Sequence, residues 1–82
     1  MSRLIATGID VGTAFIRVVV SEHKKGDISP KILGVGIAES KGMRHGYVVN
    51  PKETSKSIRA AVNIAQRNAR VPIKSAFVSI GG

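Results

Sequence analysis

Residues 8–14, Gly-Ile-Asp-Val-Gly-Thr-Ala, stand between two apolar runs, and this arrangement most constrains how the chain can fold. The first run covers residues 4–11, and the second covers residues 15–20, which are rich in β-branched side chains. Two such runs separated by a short segment that contains glycine are typical of a β-hairpin. We therefore predict antiparallel strands at about residues 3–11 and 14–22, joined by a tight turn.

This turn has two interpretations. In the first it is a plain turn, in which Gly12 adopts a positive φ and Thr13 makes a local side-chain hydrogen bond. In the second it binds an anion, because Gly12 lets backbone N–H groups approach a phosphate and Thr13 adds a hydroxyl donor. Asp10 favours the second interpretation, since we expect its strand to be covered on both faces and a buried carboxylate needs a partner such as a hydrated metal ion. Such a hairpin can hold a Mg²⁺-nucleotide, and the residues alone leave both interpretations open.

The formal net charge of +8 raises the question of nucleic-acid binding. The basic residues are dispersed from Arg3 to Lys74, and the aromatic residues are only Phe15, Tyr47 and Phe77, which is too few for a base-stacking platform. Solvated faces of a basic domain, or an acidic partner surface such as anionic lipid or another protein, explain the charge more simply. The 82 residues contain no cysteine, no membrane-length apolar run and no signal-peptide pattern, so we expect at most one cytoplasmic domain.

Two further segments precede the predicted helix. Residues 28–38 are expected to form a third strand, in which Gly34 and Gly36 indicate the close approach of another backbone segment. Residues 39–50 have the least regular pattern in the chain. Two glycines four residues apart suggest an ordered connection with special backbone angles there, with a plain loop as the alternative.

A helix is predicted over about residues 51–69. Asn50 can cap it, Pro51 fits its first position, and Glu53 completes a pair that resembles a capping box. Pro72 prevents its continuation. One face carries small and apolar residues that predict close packing on a sheet: Ile58, Ala61, Val62, Ala65 and Ala69. The opposite face is basic and is interpreted as solvent-facing rather than as a binding groove: Lys52, Lys56, Arg59, Asn63, Arg67 and Arg70.

The last predicted element is a strand at about residues 73–80. The element order is therefore β-β-β-α-β, which indicates an α/β fold with a mixed sheet. A right-handed crossover through the helix would place the last strand beside the first and parallel to it. The turn at Gly12 would then lie near the carboxyl ends of parallel strands, where ligands bind in open α/β sheets.

A β-β-β-α-β unit with Asp-x-Gly-Thr in its first hairpin resembles the opening of the actin-like ATPase (ribonuclease H-like) fold, found in actin, Hsp70 and sugar kinases. More specifically, the chain resembles the amino-terminal part of the FtsA family of bacterial cell-division proteins. The matching segments are residues 8–14, 32–36, 40–46 and 76–82, with Ser57, Ile58 and Ala61 in the helix. The first segment is shared by the whole superfamily. Residues 40–46 are similar to the family's serine-basic-glycine-apolar-x-x-glycine pattern and point to FtsA.

The resemblance implies that the first hairpin is a phosphate-1 loop. Asp10 matches the acid that holds Mg²⁺ through water. Gly12, Thr13 and Ala14 match the loop that touches the β- and γ-phosphates of ATP. Arg17 matches a basic position that FtsA-like sequences also tend to fill, often with lysine. The resemblance assigns no catalytic residue to this chain.

FtsA proteins bind ATP, polymerise like actin, tether the FtsZ ring to the cytoplasmic face of the membrane at the division septum through a C-terminal amphipathic helix, and recruit later divisome proteins. The second phosphate loop, the adenosine site, the FtsZ-binding subdomain and the membrane helix would lie beyond Gly82. We therefore expect residues 1–82 to be half of subdomain 1A, an incomplete domain. A longer parent protein would be at most a weak ATPase.

The chain alone is expected to show no ATPase activity and very weak nucleotide binding. We also expect it to self-associate, because four strands and one helix leave one sheet face poorly covered and strand edges open. Another actin-like protein, such as a pilus-assembly homologue or a sugar kinase, is the main alternative. A small basic nucleic-acid-binding domain is a weaker one.

Overall fold

The computed structural model describes residues 3–26, 28–73 and 76–80. Its elements, in chain order, are β1 (Arg3–Val11), β2 (Phe15–Lys24), β3 (Lys31–Glu39), β4 (Met43–Arg44), β5 (Tyr47–Val48), α1 (Pro51–Ala69) and β6 (Phe77–Ile80). Four strands form one sheet in the order β3-β2-β1-β6, and β4 pairs with β5 separately. β1, β2 and β3 are antiparallel neighbours, whereas β6 runs parallel to β1. The predicted mixed α/β sheet and the crossover are confirmed.

Three strand boundaries differ by two or more residues from the predicted ones. β2 continues to Lys24 rather than to residue 22, because His23 and Lys24 still pair with β1. β3 begins at Lys31 rather than at residue 28, directly after a proline that cannot donate to the strand ladder. β6 begins at Phe77 rather than at residue 73, because the Ile73 N–H instead donates to the Gln66 side chain at 2.9 Å. Residues 74 and 75 lie outside the described ranges.

The core lies between the sheet and α1, which packs across β3 and β2. Its fully or nearly fully buried members are Ile9, Val11, Ile16, Val18, Val20, Ala61 and Ala65. Gly34 and Gly36 allow the helix to approach β3 closely. A Cβ on Gly36 would collide with the carbonyl oxygen of Ala61 and the backbone of Ala65. The predicted close approach of another backbone segment at these glycines is confirmed.

The opposite face of the sheet is open in the described part of the chain. Leu4 is 63% exposed there, and Phe15 and Ile37 are each 51% exposed. The expectation that β1 is covered on both faces is therefore wrong. A single helix covers one face, and the small residues Ala6 and Gly8 make the apolar run of β1 look continuous although alternate side chains point to opposite faces.

Both ends of α1 have defined caps. The Asn50 side chain accepts a hydrogen bond from the Glu53 N–H at 3.2 Å, as predicted. The reciprocal bond of a capping box is not formed, because the Asn50 N–H donates to the Gly42 carbonyl at 3.0 Å. At the other end Arg70 adopts a left-handed conformation with φ 58°, and its N–H bonds to the Gln66 carbonyl. Within the described ranges, no helix is both long and apolar enough to cross a lipid bilayer.

Candidate phosphate-binding turn

Gly12, Thr13 and Ala14 form the turn between β1 and β2. The Gly12 N–H donates to the Phe15 carbonyl at 3.0 Å, which closes the turn. A Cβ on Gly12 would lie 2.9 Å from the same oxygen, which is closer than side-chain carbons are found. The expected positive φ at Gly12 is wrong, since the positive-φ glycines of the described residues are Gly26, Gly42 and Gly46. Glycine is needed at position 12 because the Phe15 carbonyl lies so close, and not because the backbone has a positive φ there.

The turn presents hydrogen-bond donors. The backbone N–H groups of Thr13 and Ala14 have no acceptor within the described residues. The Ala14 carbonyl, in contrast, already accepts a hydrogen bond from the Ser40 N–H at 2.9 Å. Successive unbonded N–H groups in a turn form the kind of concavity that binds anions. The backbone of this turn is therefore suited to a phosphate oxygen.

The Thr13 side chain connects the turn to a distant part of the chain. Its Oγ1 accepts a hydrogen bond from the Gly46 N–H at 3.0 Å, across 33 residues of sequence. The expected local side-chain bond is therefore wrong. A hydroxyl that accepts one hydrogen bond keeps its own proton for donation. No acceptor for that proton lies among the described residues, so Thr13 adds a third donor to the turn.

Residues 40–50 hold the Gly46 N–H in place. His45 and Gly46, the central residues of the β4–β5 hairpin, have φ values of 51° and 81°, and positive φ at both positions is the mark of a type I′ turn. Gly42 has a φ of 80°, and a Cβ there would collide with the Asn50 carbonyl. The predicted ordered connection with special backbone angles is confirmed, and the plain-loop alternative is wrong.

The same segment is also fixed to the first turns of α1. The Thr54 hydroxyl donates to the Lys41 carbonyl at 3.1 Å, and the Lys41 N–H donates to Ser57 Oγ at 3.0 Å. Thr54 and Ser57 are both buried. Hydrogen bonds therefore connect the turn, residues 40–50 and the start of α1 into one unit.

Asp10 and Arg17 face each other across β1 and β2, beside the turn. Both are exposed, and both alternate with buried residues, which places them on the face away from α1. Arg17 points outward, and the expected burial of Asp10 is wrong because that face is open. Neither side chain forms an ion pair with a described residue. The Asp10 carboxylate and the Arg17 guanidinium are therefore both available to a ligand.

The described residues offer few side-chain ligands for a metal ion beside the turn. No group of three or more His, Cys, Asp or Glu side chains that could hold a metal ion lies in the described part of the chain. Mg²⁺ commonly keeps several waters and binds through one or two carboxylates together with substrate phosphates. Asp10 fits that mode, in which water and phosphate oxygens would complete the coordination.

The sequence did not single out Ser40, which lies next to the turn. Its hydroxyl is buried and has no hydrogen-bond partner among the described residues. Leaving such a group unsatisfied costs about 1–3 kcal/mol. Ser40 and Gly46 lie at the two ends of residues 40–46. Their place in that segment was the only feature of the sequence that could have indicated a role for them beside the turn.

The chain is similar to several curated proteins, although no family model matches it. The cell division protein FtsA of Streptococcus pneumoniae is 34% identical over 76 residues, which cover 93% of this chain and 16% of that protein. FtsA of Enterococcus faecalis is 40% identical over 73 residues, 89% of this chain and 16% of that protein. FtsA of Escherichia coli is 30% identical over 80 residues, 98% of this chain and 19% of that protein.

These relatives place the chain among the bacterial cell-division proteins. It belongs to the FtsA family, as the glycine-rich segment 40–46 predicted. The chain spans between 16% and 19% of the length of these three relatives. The matches favour FtsA over the pilus-assembly, sugar-kinase and nucleic-acid-binding alternatives.

Proposed function

We propose that this chain supplies the phosphate-1 loop of an FtsA-like cell-division protein that binds ATP with Mg²⁺. One observation carries the proposal: the N–H groups of Thr13 and Ala14 are unbonded in the turn that directly follows β1, and Asp10, near the end of that strand, is exposed and has no ion pair with a described residue. Backbone donors bind phosphate oxygens, and a carboxylate beside them can hold the hydrated cation that neutralises the phosphates. A plain turn has no need of this combination.

Each residue of the turn has a separate role in the proposal. Asp10 holds Mg²⁺ through water. Gly12 allows the backbone to close tightly, while Thr13 and Ala14 donate hydrogen bonds to the β- and γ-phosphates. Arg17, opposite Asp10 in the sheet, adds a positive charge near the turn. None of these residues is given a catalytic role.

The FtsA relatives extend the proposal to the functions of a whole cell-division protein. We assign the chain to the first half of subdomain 1A of an actin-like ATPase, in a protein that links the FtsZ ring to the cytoplasmic face of the membrane at the septum. Polymerisation, FtsZ binding and membrane attachment would use segments outside this sequence. The open sheet face around Leu4, Phe15 and Ile37 supports this, because apolar side chains exposed to that degree favour a covering partner.

The proposal is tested by titrating the isotope-labelled chain with ATP and Mg²⁺ and following its amide NMR signals. We expect millimolar or weaker binding, with shifts concentrated at Gly12, Thr13 and Ala14 that require Mg²⁺. Asp10→Asn should abolish the Mg²⁺ dependence, whereas Glu53→Gln, which removes an acid in the first turn of α1, should leave it unchanged. Shifts that avoid the turn, or that are equal with and without Mg²⁺, would refute the proposal.

A further inference from the structure

A stripe of basic side chains runs along the outer surface of α1. We call it the basic stripe, and its members are Lys52, Lys56, Arg59, Arg67 and Arg70. At 3.6 residues per turn the four members within α1 fall within an arc of about 80°, and Arg70 follows them as the helix cap. That arc lies almost opposite the buried residues Ala61 and Ala65, and all five cations are exposed. The predicted solvent-facing position of these residues is confirmed.

The charge of this stripe is largely unneutralised. Lys56 lies 3.9 Å from Glu53, the acid in the first turn of α1. The remaining four cations form no ion pair with any described residue. Lys52, Arg59 and Arg67 are held along α1, whose 19 residues span about 28 Å, and Arg70 follows directly as its cap. Positive charges fixed in this way attract an extended, negatively charged partner.

The stripe ends in a concave site. An open cleft of about 450 Å³ lies at the end of α1, and its lining residues are Asn63, Gln66, Arg67, Arg70, Val71 and Pro72. Gln66 shapes the cleft, because its side-chain oxygen accepts the Ile73 N–H at 2.9 Å and so holds the chain that follows the helix. Arg67 and Arg70 therefore both line one cleft beside a backbone segment that Gln66 holds.

Arg70 occupies a backbone position that usually suits glycine better than arginine. Its φ of 58° is left-handed, and helices that end in this conformation usually have glycine there. A side chain kept in an unfavourable backbone conformation is often needed for function. Arg70 lines the cleft, and its guanidinium is the group that glycine could not supply.

We infer that the basic stripe binds an acidic peptide segment of a partner protein, with a carboxylate held in the cleft by Arg67 and Arg70. Arginine forks match planar carboxylates through paired hydrogen bonds. The stripe contains no aromatic residue on which bases could stack, which disfavours single-stranded nucleic acid. It contains no large apolar residue to insert among lipid chains, which disfavours a membrane.

The test measures the fluorescence anisotropy of a labelled peptide of alternating glutamate and serine at low salt. R67Q/R70Q should weaken binding at least about tenfold, because two charged hydrogen-bonding groups are lost. K25Q/K31Q removes the same charge from exposed lysines on the β2–β3 side and should weaken binding less than about twofold. R67K/R70K keeps the charge but loses the arginine forks, and should bind between these limits.

Equal losses in R67Q/R70Q and K25Q/K31Q would overturn the inference, because net charge alone would then explain binding. Tighter binding of duplex DNA or of phosphatidylserine vesicles through the same arginines would overturn the choice of a peptide. Circular dichroism melting checks that each variant folds. Should R67Q/R70Q fail to fold, the single Arg67→Gln leaves the helix cap intact and is compared with Lys25→Gln. The Mg²⁺-dependent NMR shifts at Gly12 should persist in these variants, which separates this inference from the proposed function.

Discussion

Gly36→Ala tests the helix–sheet packing that positions the turn and residues 40–50. The added Cβ would collide with the Ala61 carbonyl oxygen, and would lie 2.6 Å from the Ala65 N and 3.0 Å from the Ala65 Cβ. Two of these three obstacles are backbone atoms of α1. Because no side chain can rotate out of the way of the new methyl group, the helix itself must move away from β3.

The loss of folding free energy in Gly36→Ala can be estimated from these contacts. Overpacking of a core typically costs about 1–3 kcal/mol, and a backbone obstacle places this case near about 3 kcal/mol. Replacing glycine returns about 0.5–1 kcal/mol by restricting the unfolded chain. The net loss of stability is therefore about 2 kcal/mol. For a domain of this size each kcal/mol lowers the melting temperature by about 4–8 °C, so we expect a fall of about 8–16 °C.

Gly8→Ala is the matched control, because it makes the same change in another strand of the same sheet. A Cβ on Gly8 has no atom within 4 Å, so the substitution should leave the melting temperature unchanged or raise it. Both variants are compared with the wild-type chain by thermal unfolding followed by circular dichroism. If Gly36→Ala melts at the same temperature as Gly8→Ala, the close approach of α1 to β3 is incorrect.

Three further substitutions test other parts of the account. Asn50→Ala removes the oxygen that accepts the Glu53 N–H and should lower the free energy of unfolding in urea by about 1 kcal/mol. Thr13→Val removes the acceptor of the Gly46 N–H, so amide hydrogen exchange at Gly46 should become faster and stability should fall by about 1 kcal/mol. The wild-type chain should self-associate in sedimentation velocity through its open sheet face, and Ile37→Lys should shift it toward monomer.

Each of these has its own control. Asn63→Ala replaces an exposed asparagine inside α1 and should not destabilise the chain, since alanine is the better helix former. Thr13→Ser keeps the accepting oxygen, so rapid exchange at Gly46 in that variant would argue against the hydrogen bond. Val48→Lys changes an exposed residue in the separate β4–β5 hairpin, and an equal effect on association would exclude the sheet face as its cause.

The elements predicted best were those with strong local signals. Asn50 and Pro51 mark the start of α1, and the spacing of its small residues predicts both its length and its buried face. The hairpin of β1 and β2 follows from two apolar runs around a short turn. In each case the information lies within a few residues of the element that it specifies, so the sequence alone is sufficient.

The errors concern features that depend on tertiary contacts. Asp10 was expected to be buried because Ala6 and Gly8 made its strand look apolar on both faces, whereas the structure has a helix on one face only. The bond between Thr13 and Gly46 joins residues far apart in sequence, and no local pattern specifies it. The role of Gly12, Thr13 and Ala14 in phosphate binding stays a prediction, and the sequence did not indicate that residues 40–50 hold the turn through Thr13.

The central claim is that the turn at Gly12 binds the phosphates of ATP with Mg²⁺ held by Asp10. Its most direct test is calorimetric titration of the native gene product, purified as its source organism makes it, with ATP in the presence and absence of Mg²⁺. We expect Mg²⁺-dependent binding that Asp10→Asn weakens at least about tenfold. Binding of equal strength in the wild type and in Asp10→Asn, or an absence of binding in the wild type, would contradict it.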